Sequence, residues 1–379
     1  MKFSYGKVIG IFVGLCLVTS LGLLYLMNNS PDTVKIGFSA GLTGVKSELG
    51  VNGRNGVLLA VEITNQQGGI KGRKIELLIA DDKNDKTAAV EADKYLVEQG
   101  SEAIIGHMTS GMAELTVPFA NVNNILLISP TISTDELTGI DDHFVRVVTS
   151  NAVQGGYLAE AATKITGIRK FAIIYDASND SFARPIITTF GDKLQSEGGG
   201  ILLTESFESQ GDFGRLVRSV QQSDVEGILL IASAMDAATF CQQGRKLGIN
   251  MPIFLPMWAM TNDFIITGGT TVDGAYLINQ EDLNAETAAY RGFRQMYLKR
   301  YGMEPTFAAL MSYDAAMVLF EGMMSATEMS PEGIKTAIVK KGTFQGLQQE
   351  IKIDRYGDAT GRYYLYRVQE GAFVRVGQI

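Results

Sequence analysis

The feature that most constrains the fold is a regular alternation of short strand-like runs with helical patterns, which begins at Val34. Residues 34–38 and 75–80 are short apolar runs of the kind found in buried strands. Apolar residues in the stretches that follow, such as 87–99, recur at helical spacing instead. Strands that alternate with helices in this way form βαβ units, which build parallel sheets. The sequence therefore predicts an α/β protein.

A second series of the same kind runs from about residue 154 to residue 255. Two similar series indicate two lobes, and the ~350 residues that follow the N-terminal segment exceed the usual size of a single core. Further helical patterns occupy 285–300, 307–323 and 331–339, and antiparallel strands are expected at 362–368 and 373–376.

Residues 1–32 form a separate N-terminal unit. Lys2 and Lys7 precede the uncharged run 8–27, which is long enough to cross a membrane as a helix at about 1.5 Å per residue. Because both lysines lie ahead of the run, the rest of the chain is expected on the outer side. The run fits a retained anchor or a cleaved signal peptide. Cys16 also permits lipoprotein processing, although Leu15 before it makes a poor lipobox.

Charge and residue content argue against several classes of protein. The net charge of −8 provides no basic surface for nucleic acid. Two histidines, and one cysteine (Cys241) beyond residue 32, are too few for a structural zinc site. We find no Ser–His–Asp or Cys–His spacing and no dinucleotide-binding glycine pattern. We therefore expect neither an enzyme nor a bound metal or cofactor, and we interpret His107 as a structural hydrogen-bonding residue.

Hydroxyl-bearing residues follow two of the predicted strands, at the end where open α/β sheets bind their ligands. Thr109 and Ser110 come after one strand, and Thr131 and Ser133 come after the next. Helix N-termini at such places present unpaired N–H groups and partial positive charge, which suit a carboxylate. The same hydroxyls could instead only cap helices, a role that Ser and Thr favour. Thr43, on the first loop, could line the same cleft or form a plain turn.

Several short motifs share the order and spacing of a known family. They lie at 34–37, 41–44, 65–73, 81–82, 104–107, 129–131, 344–346 and 354–358. Through these motifs the chain resembles, over nearly all of its length beyond residue 33, the type I solute-binding proteins of ABC importers, of the branched-chain-amino-acid-binding kind. The resemblance implies a periplasmic binding protein-like I fold, with two Rossmann-like lobes joined by a three-strand hinge.

The resemblance also implies that each lobe is built from separate segments of the chain. Lobe 1 would comprise 33–148 and 279–343, and lobe 2 would comprise 149–278 and 344–379. The hinge crossings would fall near Thr149, Asn279 and Phe344.

In this family, the positions of Ser110, Thr131 and Ser133 hold the head group of an amino acid through hydroxyl and backbone groups. The second lobe would close over the ligand with loops that carry Ser181, Asp236, Met257 and Trp258. Trp258 could meet the body of the ligand or pack near the hinge.

The second-lobe loops depart from the family pattern. Members that bind amino acids often carry tyrosines on the first two loops and a carboxylate on the third, where this chain has Ser181 or Asp180, Ala234 and Met257. A buried ammonium without an anion is costly. Asp236 or Asp180 could supply the anion, or either could cap a helix. The ligand is therefore expected to be an amino acid or, alternatively, an aromatic or apolar carboxylate.

The function that the resemblance implies is capture of a small molecule by hinge closure, followed by delivery to ABC permease and ATPase subunits. An alternative within binding proteins is a membrane-tethered sensor that passes closure to a separate signalling partner. In both cases the protein acts on the periplasmic or extracellular face, tethered to the cytoplasmic membrane if the N-terminal segment is retained.

Overall fold

A computed structural model of the chain describes residues 33–44, 46–208 and 211–378. The N-terminal segment 1–32, with its predicted anchor or signal, lies outside the described residues.

The first lobe is built on a five-stranded parallel sheet, in which the second strand along the chain lies at one edge and the first, third, fourth and fifth strands follow in that order. Successive side chains of a strand point to opposite faces, so Ile104 packs against one layer of helices and Ile105 against the other. Two of the inner strands, Ala103–Gly106 and Leu126–Ser129, are buried along their whole length because both faces are covered, and they are almost entirely apolar. The strands are β1 (Val34–Ala40), β2 (Ile75–Asp81), β3 (Ala103–Gly106), β4 (Leu126–Ser129) and β5 (Phe144–Arg146), and the helices between them are α1 (Glu48–Gln66), α2 (Lys86–Glu98) and α3 (Ala113–Val122).

The second lobe repeats this plan with five further strands that pair in parallel. Its strands are β6 (Lys170–Asp176), β7 (Gly200–Phe207), β8 (Gly227–Ile231), β9 (Ile253–Leu255) and β10 (Tyr276–Asn279). Its helices are α4 (Ala152–Ala161), α5 (Asp180–Ser196), α6 (Phe213–Gln221), α7 (Ala234–Lys246) and α8 (Asn262–Gly268).

After β10 the chain returns to the first lobe as three helices: α9 (Ala288–Tyr301), α10 (Phe307–Ser325) and α11 (Pro331–Lys341). Helix α10 lies against α1. The two helices can approach closely because Gly56 has no side chain: a Cβ there would lie 2.1 Å from the carbonyl oxygen of Ala309. Helix α10 is long and apolar enough to cross a membrane, but most of it is buried inside the lobe, as in the core helix of a soluble protein.

The C-terminal strands are divided between two sheets. A separate three-stranded sheet contacts the first lobe, where the Arg146 amide donates to the carbonyl of Gly357 and its side chain pairs with Asp358 at 2.8 Å. The last two strands extend the second sheet in antiparallel fashion, as the sequence predicts. The small sheet contains β11 (Thr343–Gln345), β12 (Glu350–Ile353) and β13 (Ala359–Thr360), and the final hairpin contains β14 (Tyr364–Gln369) and β15 (Ala372–Gln378). The second sheet thus has the order β15-β14-β10-β9-β8-β6-β7.

The chain passes between the two large sheets after β5, after β10 and between β13 and β14. Gln280 lies where these passages meet: its side-chain oxygen accepts from the Thr149 amide at 2.9 Å, and a Cβ at Gly361 would lie 2.5 Å from its amide nitrogen. Thr149 and Asn279 mark the first two passages, whereas Phe344 lies within β11, ahead of the third. The predicted α/β class is confirmed, and the lobe boundaries stay a prediction.

Candidate ligand-binding cleft

Several cavities lie between the lobes, and one of them brings together residues that the sequence predicts on both sides. It is bounded by loops that follow β3 and β4 in the first lobe and β6 and β9 in the second, which are the carboxyl ends of parallel strands. The first lobe contributes Leu49, Met108, Thr109, Ser110, Thr131 and Phe307, and the second contributes Asn179, Phe182, Met257 and Trp258.

Hydroxyl groups join the two first-lobe loops to each other. The Thr131 hydroxyl donates to the carbonyl of Met108 at 2.7 Å, and the Ser110 hydroxyl accepts from the Ser133 amide at 3.1 Å. At the base of the second loop, Ser129 Oγ accepts from the Thr131 amide at 3.2 Å. The structure therefore brings together the four hydroxyl residues that the sequence predicts, although Ser133 lies behind Ser110 and not in the cavity lining.

Two of these hydroxyls are buried without a partner. Thr109 Oγ1 and Ser133 Oγ have no hydrogen bond among the described residues. Thr109 begins the 3₁₀ turn Ser110–Met112 but provides no side-chain cap to it, so the capping alternative finds no support there. Because a buried polar group without a hydrogen bond is costly, such groups in a native protein usually have a specific role. The Thr109 hydroxyl, which also lines the cavity, is therefore available to donate to an acceptor in the cleft.

The amide at the start of that 3₁₀ turn is already used by the second lobe. Gly111 donates its N–H to Asn179 Oδ1 at 2.8 Å, across the cleft. A Cβ at Gly111 would lie 3.3 Å from both this oxygen and the Ser178 carbonyl oxygen. The lobes are thus in contact where the sequence predicts a carboxylate at a helix N-terminus, and this amide binds a protein oxygen.

The second-lobe wall is apolar. Trp258 and Phe182 pack edge to face, with ring centroids 5.6 Å apart and planes at 75°. Met257 and Trp258 lie in the 3₁₀ turn Met257–Ala259 after β9 and line the cavity, as the sequence predicts. Two polar residues at the start of α4, next to the first passage between the lobes, hold this wall: Asn151 donates to the Phe182 carbonyl at 2.7 Å, and Gln154 accepts from the Met257 amide at 3.3 Å.

Besides Ser133, three predicted site residues lie outside this cavity. The Thr43 hydroxyl donates to Asp81 at 2.6 Å and closes an exposed turn. Ser181 does not line the cavity, whereas Asn179 and Phe182 do; Ser181 and Phe182 are successive residues in the first turn of α5, so their side chains leave the helix in different directions. Asp236 lies in the first turn of α7, where its amide donates to the hydroxyl of the capping residue Ser233 and its carboxylate accepts from the same hydroxyl, so it takes part in the helix cap.

An ion pair also spans the cleft, and no local sequence pattern predicts it. Lys46, on the loop between β1 and α1, forms an ion pair with Asp176 at the end of β6 and donates to Ser178 Oγ at 3.0 Å. The Lys46 ammonium also lies 5.6 Å from the centre of the Trp258 ring. The Lys46 side chain is 13% exposed and that of Asp176 is 0% exposed, so the pair is almost entirely withdrawn from water.

His107, which follows β3, is hydrogen-bonded to two buried carboxylates. Its Nδ1 lies 2.6 Å from Asp82 Oδ2 and its Nε2 lies 3.1 Å from both oxygens of Asp93, and all three side chains are buried. Burial by itself lowers the pKa of His107, but attraction to Asp93 and the hydrogen bond with Asp82 raise it to about 10. The structural role predicted for His107 is confirmed. Within the described ranges, no group of three or more His, Cys, Asp or Glu side chains could hold a metal ion.

Known proteins share this architecture. The sequence matches the periplasmic binding protein family over residues 33–372. It is similar to Leu/Ile/Val-binding protein homolog 1 of Brucella abortus, with 24% identity over 349 residues that cover 89% of this chain and 91% of the relative.

Two solved structures resemble the fold closely. A leucine-binding protein from Thermotoga maritima has a TM-score of 0.85 and 25% identity, with 92% of this chain and 99% of that chain covered. A solute-binding protein from R. palustris in complex with benzoate has a TM-score of 0.83 and 18% identity, covering 92% and 96%. The resemblance found in the sequence is confirmed, and because the family match spans both lobes and the cleft between them, the chain belongs to the periplasmic binding protein family.

Proposed function

We propose that this protein is the extracytoplasmic substrate-binding subunit of an ABC importer and that it binds a small carboxylate with an apolar body. The observation that carries the proposal is the two-sided cavity: hydroxyl groups at the first-lobe strand ends face an apolar wall of Phe182, Met257 and Trp258. The Brucella relative is named for leucine, isoleucine and valine, and the R. palustris protein holds benzoate. All of these are small carboxylates with apolar bodies.

The first lobe would hold the head group. Thr109 Oγ1, which has no partner among the described residues, lies in the cavity wall, and Ser133 Oγ is a second buried donor behind Ser110. A hydrogen bond to a charged group contributes about 1.5–3 kcal/mol. The carboxylate would therefore gain most of its directional binding from this side.

The second lobe would cover the apolar body. Burial stabilises apolar surface by about 25 cal/mol per Å², and the rings of Phe182 and Trp258 supply a flat apolar surface. Because the ligand would contact both lobes, it would bind the closed arrangement more tightly than an open one, which is the condition for ligand-driven closure. Asn151 and Gln154, beside the first passage between the lobes, would couple the position of this wall to the hinge.

The N-terminal run 8–27 would keep the protein on the outer face of the cytoplasmic membrane. This part of the proposal rests on its length and on the two lysines that precede it. N-terminal sequencing of the protein from cells tests it. A mature chain that begins at Leu21 would show cleavage and contradict the tether.

Calorimetry with the full-length protein tests the binding function. Leucine, 4-methylpentanoate and benzoate should include at least one ligand that binds and is recovered unaltered, whereas benzyl alcohol, which lacks the carboxylate, should not bind. Thr109→Val should weaken binding by at least ~10-fold, because it removes a hydrogen bond to a charged group.

Thr43→Val is the matched control, since it removes a hydroxyl that lies outside the cavity and bonds to Asp81. Its affinity should equal that of the wild type. Equal affinities of the wild type and Thr109→Val, or no binding of any carboxylate, would contradict the proposal.

A further inference from the structure

We infer that Lys46 fills the anionic site of the second lobe with the protein's own ammonium, and that it thereby selects carboxylate ligands that lack an α-amino group. This inference rests on the proposed function, since it states which carboxylates the cleft accepts.

The geometry around Asp176 is that of an occupied ammonium site. Asp176 Oδ1 accepts from the amide of Ser178 at 2.9 Å and from its hydroxyl at 2.7 Å, while Oδ2 pairs with Lys46. Trp258 lies beside the same ammonium, within the ~6 Å at which a cation is attracted to an aromatic face. The carboxylate, the hydroxyl and the ring all belong to the second lobe, whereas the ammonium belongs to the first.

Because Asp176 is already paired with Lys46, this arrangement leaves little negative charge to bind the ammonium of a ligand. Trp258 lines both the ligand cavity and the Lys46 site, so an amine on a ligand in the cavity would approach the same carboxylate. A charge taken out of water must be paired, and removal of one partner from a buried pair is strongly destabilising. A ligand ammonium that displaced Lys46 would leave the lysine without its anion.

Other carboxyl groups near the cleft do not replace Asp176. Glu48 and Asp263 line a separate small cavity, and Glu48 bonds to Thr261. Burial and the neighbouring Asp263 raise the pKa of Glu48 to about 7, despite the hydrogen bond from Thr261, so this group is not a fixed anion at neutral pH. Asp236 is held by Ser233 at the start of α7.

Ligand pairs that differ only in the amino group provide the direct test. Leucine with 4-methylpentanoate, and phenylalanine with 3-phenylpropanoate, are titrated by calorimetry into the full-length protein and into Lys46→Met, which keeps the apolar stem beside Trp258. In the wild type, the member of each pair that lacks the amino group should bind at least ~10-fold more tightly. In Lys46→Met, the ratio of the two affinities should shift towards the amino acid by at least ~10-fold, because Asp176 becomes free to pair with the ammonium of the ligand.

Lys86→Met is the matched control, since Lys86 forms an exposed ion pair with Glu114 inside the first lobe. It should keep the wild-type preference. A wild type that prefers the amino acids, or an unchanged preference in Lys46→Met, would overturn the inference.

A second measurement separates this inference from the proposed function. Trp258 is the only tryptophan of the chain, so its fluorescence reports on the Lys46 site. In Lys46→Ala, butylammonium should change this fluorescence saturably and butanol should not, while the wild type should respond to neither. Equal responses of the two proteins would overturn the role of Lys46. If none of the four carboxylates binds the wild type, the proposed function fails, and a butylammonium response confined to Lys46→Ala still supports Lys46 as the occupant of the site.

Discussion

Substitution of His107 by glutamine should lower the free energy of unfolding by about 4 kcal/mol at pH 7, with a loss that disappears at high pH. His107 lies between Asp82 and Asp93, with both of its ring nitrogens within 3.1 Å of a carboxylate oxygen. Because all three side chains are buried, glutamine would leave two carboxylates in the interior without their cation.

The magnitude follows from the pKa of the imidazole. Burial lowers this pKa, but attraction to Asp93 and the hydrogen bond with Asp82 raise it from 6.5 to about 10 in the folded protein. Each pKa unit corresponds to about 1.4 kcal/mol, so the protonated ring contributes roughly 5 kcal/mol in acid and about 4 kcal/mol at pH 7. The folded-state pKa is the higher one, so this stabilisation is complete below about pH 6.5 and is lost as the pH rises through 10.

Urea unfolding followed by circular dichroism at pH 7 and pH 9.5 measures the effect. The wild type should lose about 3 kcal/mol from this group between the two pH values, and His107→Gln should not. The control is His143→Gln, the only other histidine. Its partner Glu332 is 59% exposed, so this pair should contribute at most ~1 kcal/mol. The reasoning is refuted if the two variants are equally stable at pH 7, or if His107→Gln keeps the pH dependence of the wild type.

Three further predictions concern the cleft and the second lobe. Ser110→Ala combined with Ser133→Ala should weaken ligand binding by at least ~10-fold in calorimetry, since the Ser110 hydroxyl lines the cavity and can donate to a charged group; an unchanged dissociation constant with a lowered melting temperature would contradict this. Gly111→Ala should weaken binding by about 10-fold without lowering the unfolding free energy, because the new Cβ would crowd Asn179 Oδ1 only when the lobes close; wild-type affinity would argue against this contact. Cys241 is buried, which raises its pKa to about 12, so a thiol reagent at pH 8 should label Cys241 only in urea; rapid labelling of Cys241 in the native protein, located by peptide mapping to distinguish it from Cys16, would show that the site is open.

Some features of the site follow from the sequence because they depend on local signals. Strand-like runs that end in Thr109-Ser110 and in Thr131 predict hydroxyl groups at one edge of a parallel sheet, since the carboxyl ends of parallel strands meet there. The same reasoning identifies Met257 and Trp258 after β9. Helix α10 was predicted at 307–323 and observed at Phe307–Ser325, because a long apolar run with helical spacing has few alternatives.

Other features were decided only by the tertiary structure. Which of the residues 179–182 line the cavity depends on how the chain passes from the 3₁₀ turn Ala177–Asn179 into α5, so Asn179 and Phe182 line it while Ser181 does not. The pairing of Lys46 with Asp176 joins two lobes across 130 positions of the chain. Hydrophobic periodicity carries no information about such a pair, because its energy arises only when the folded lobes withdraw both charges from water.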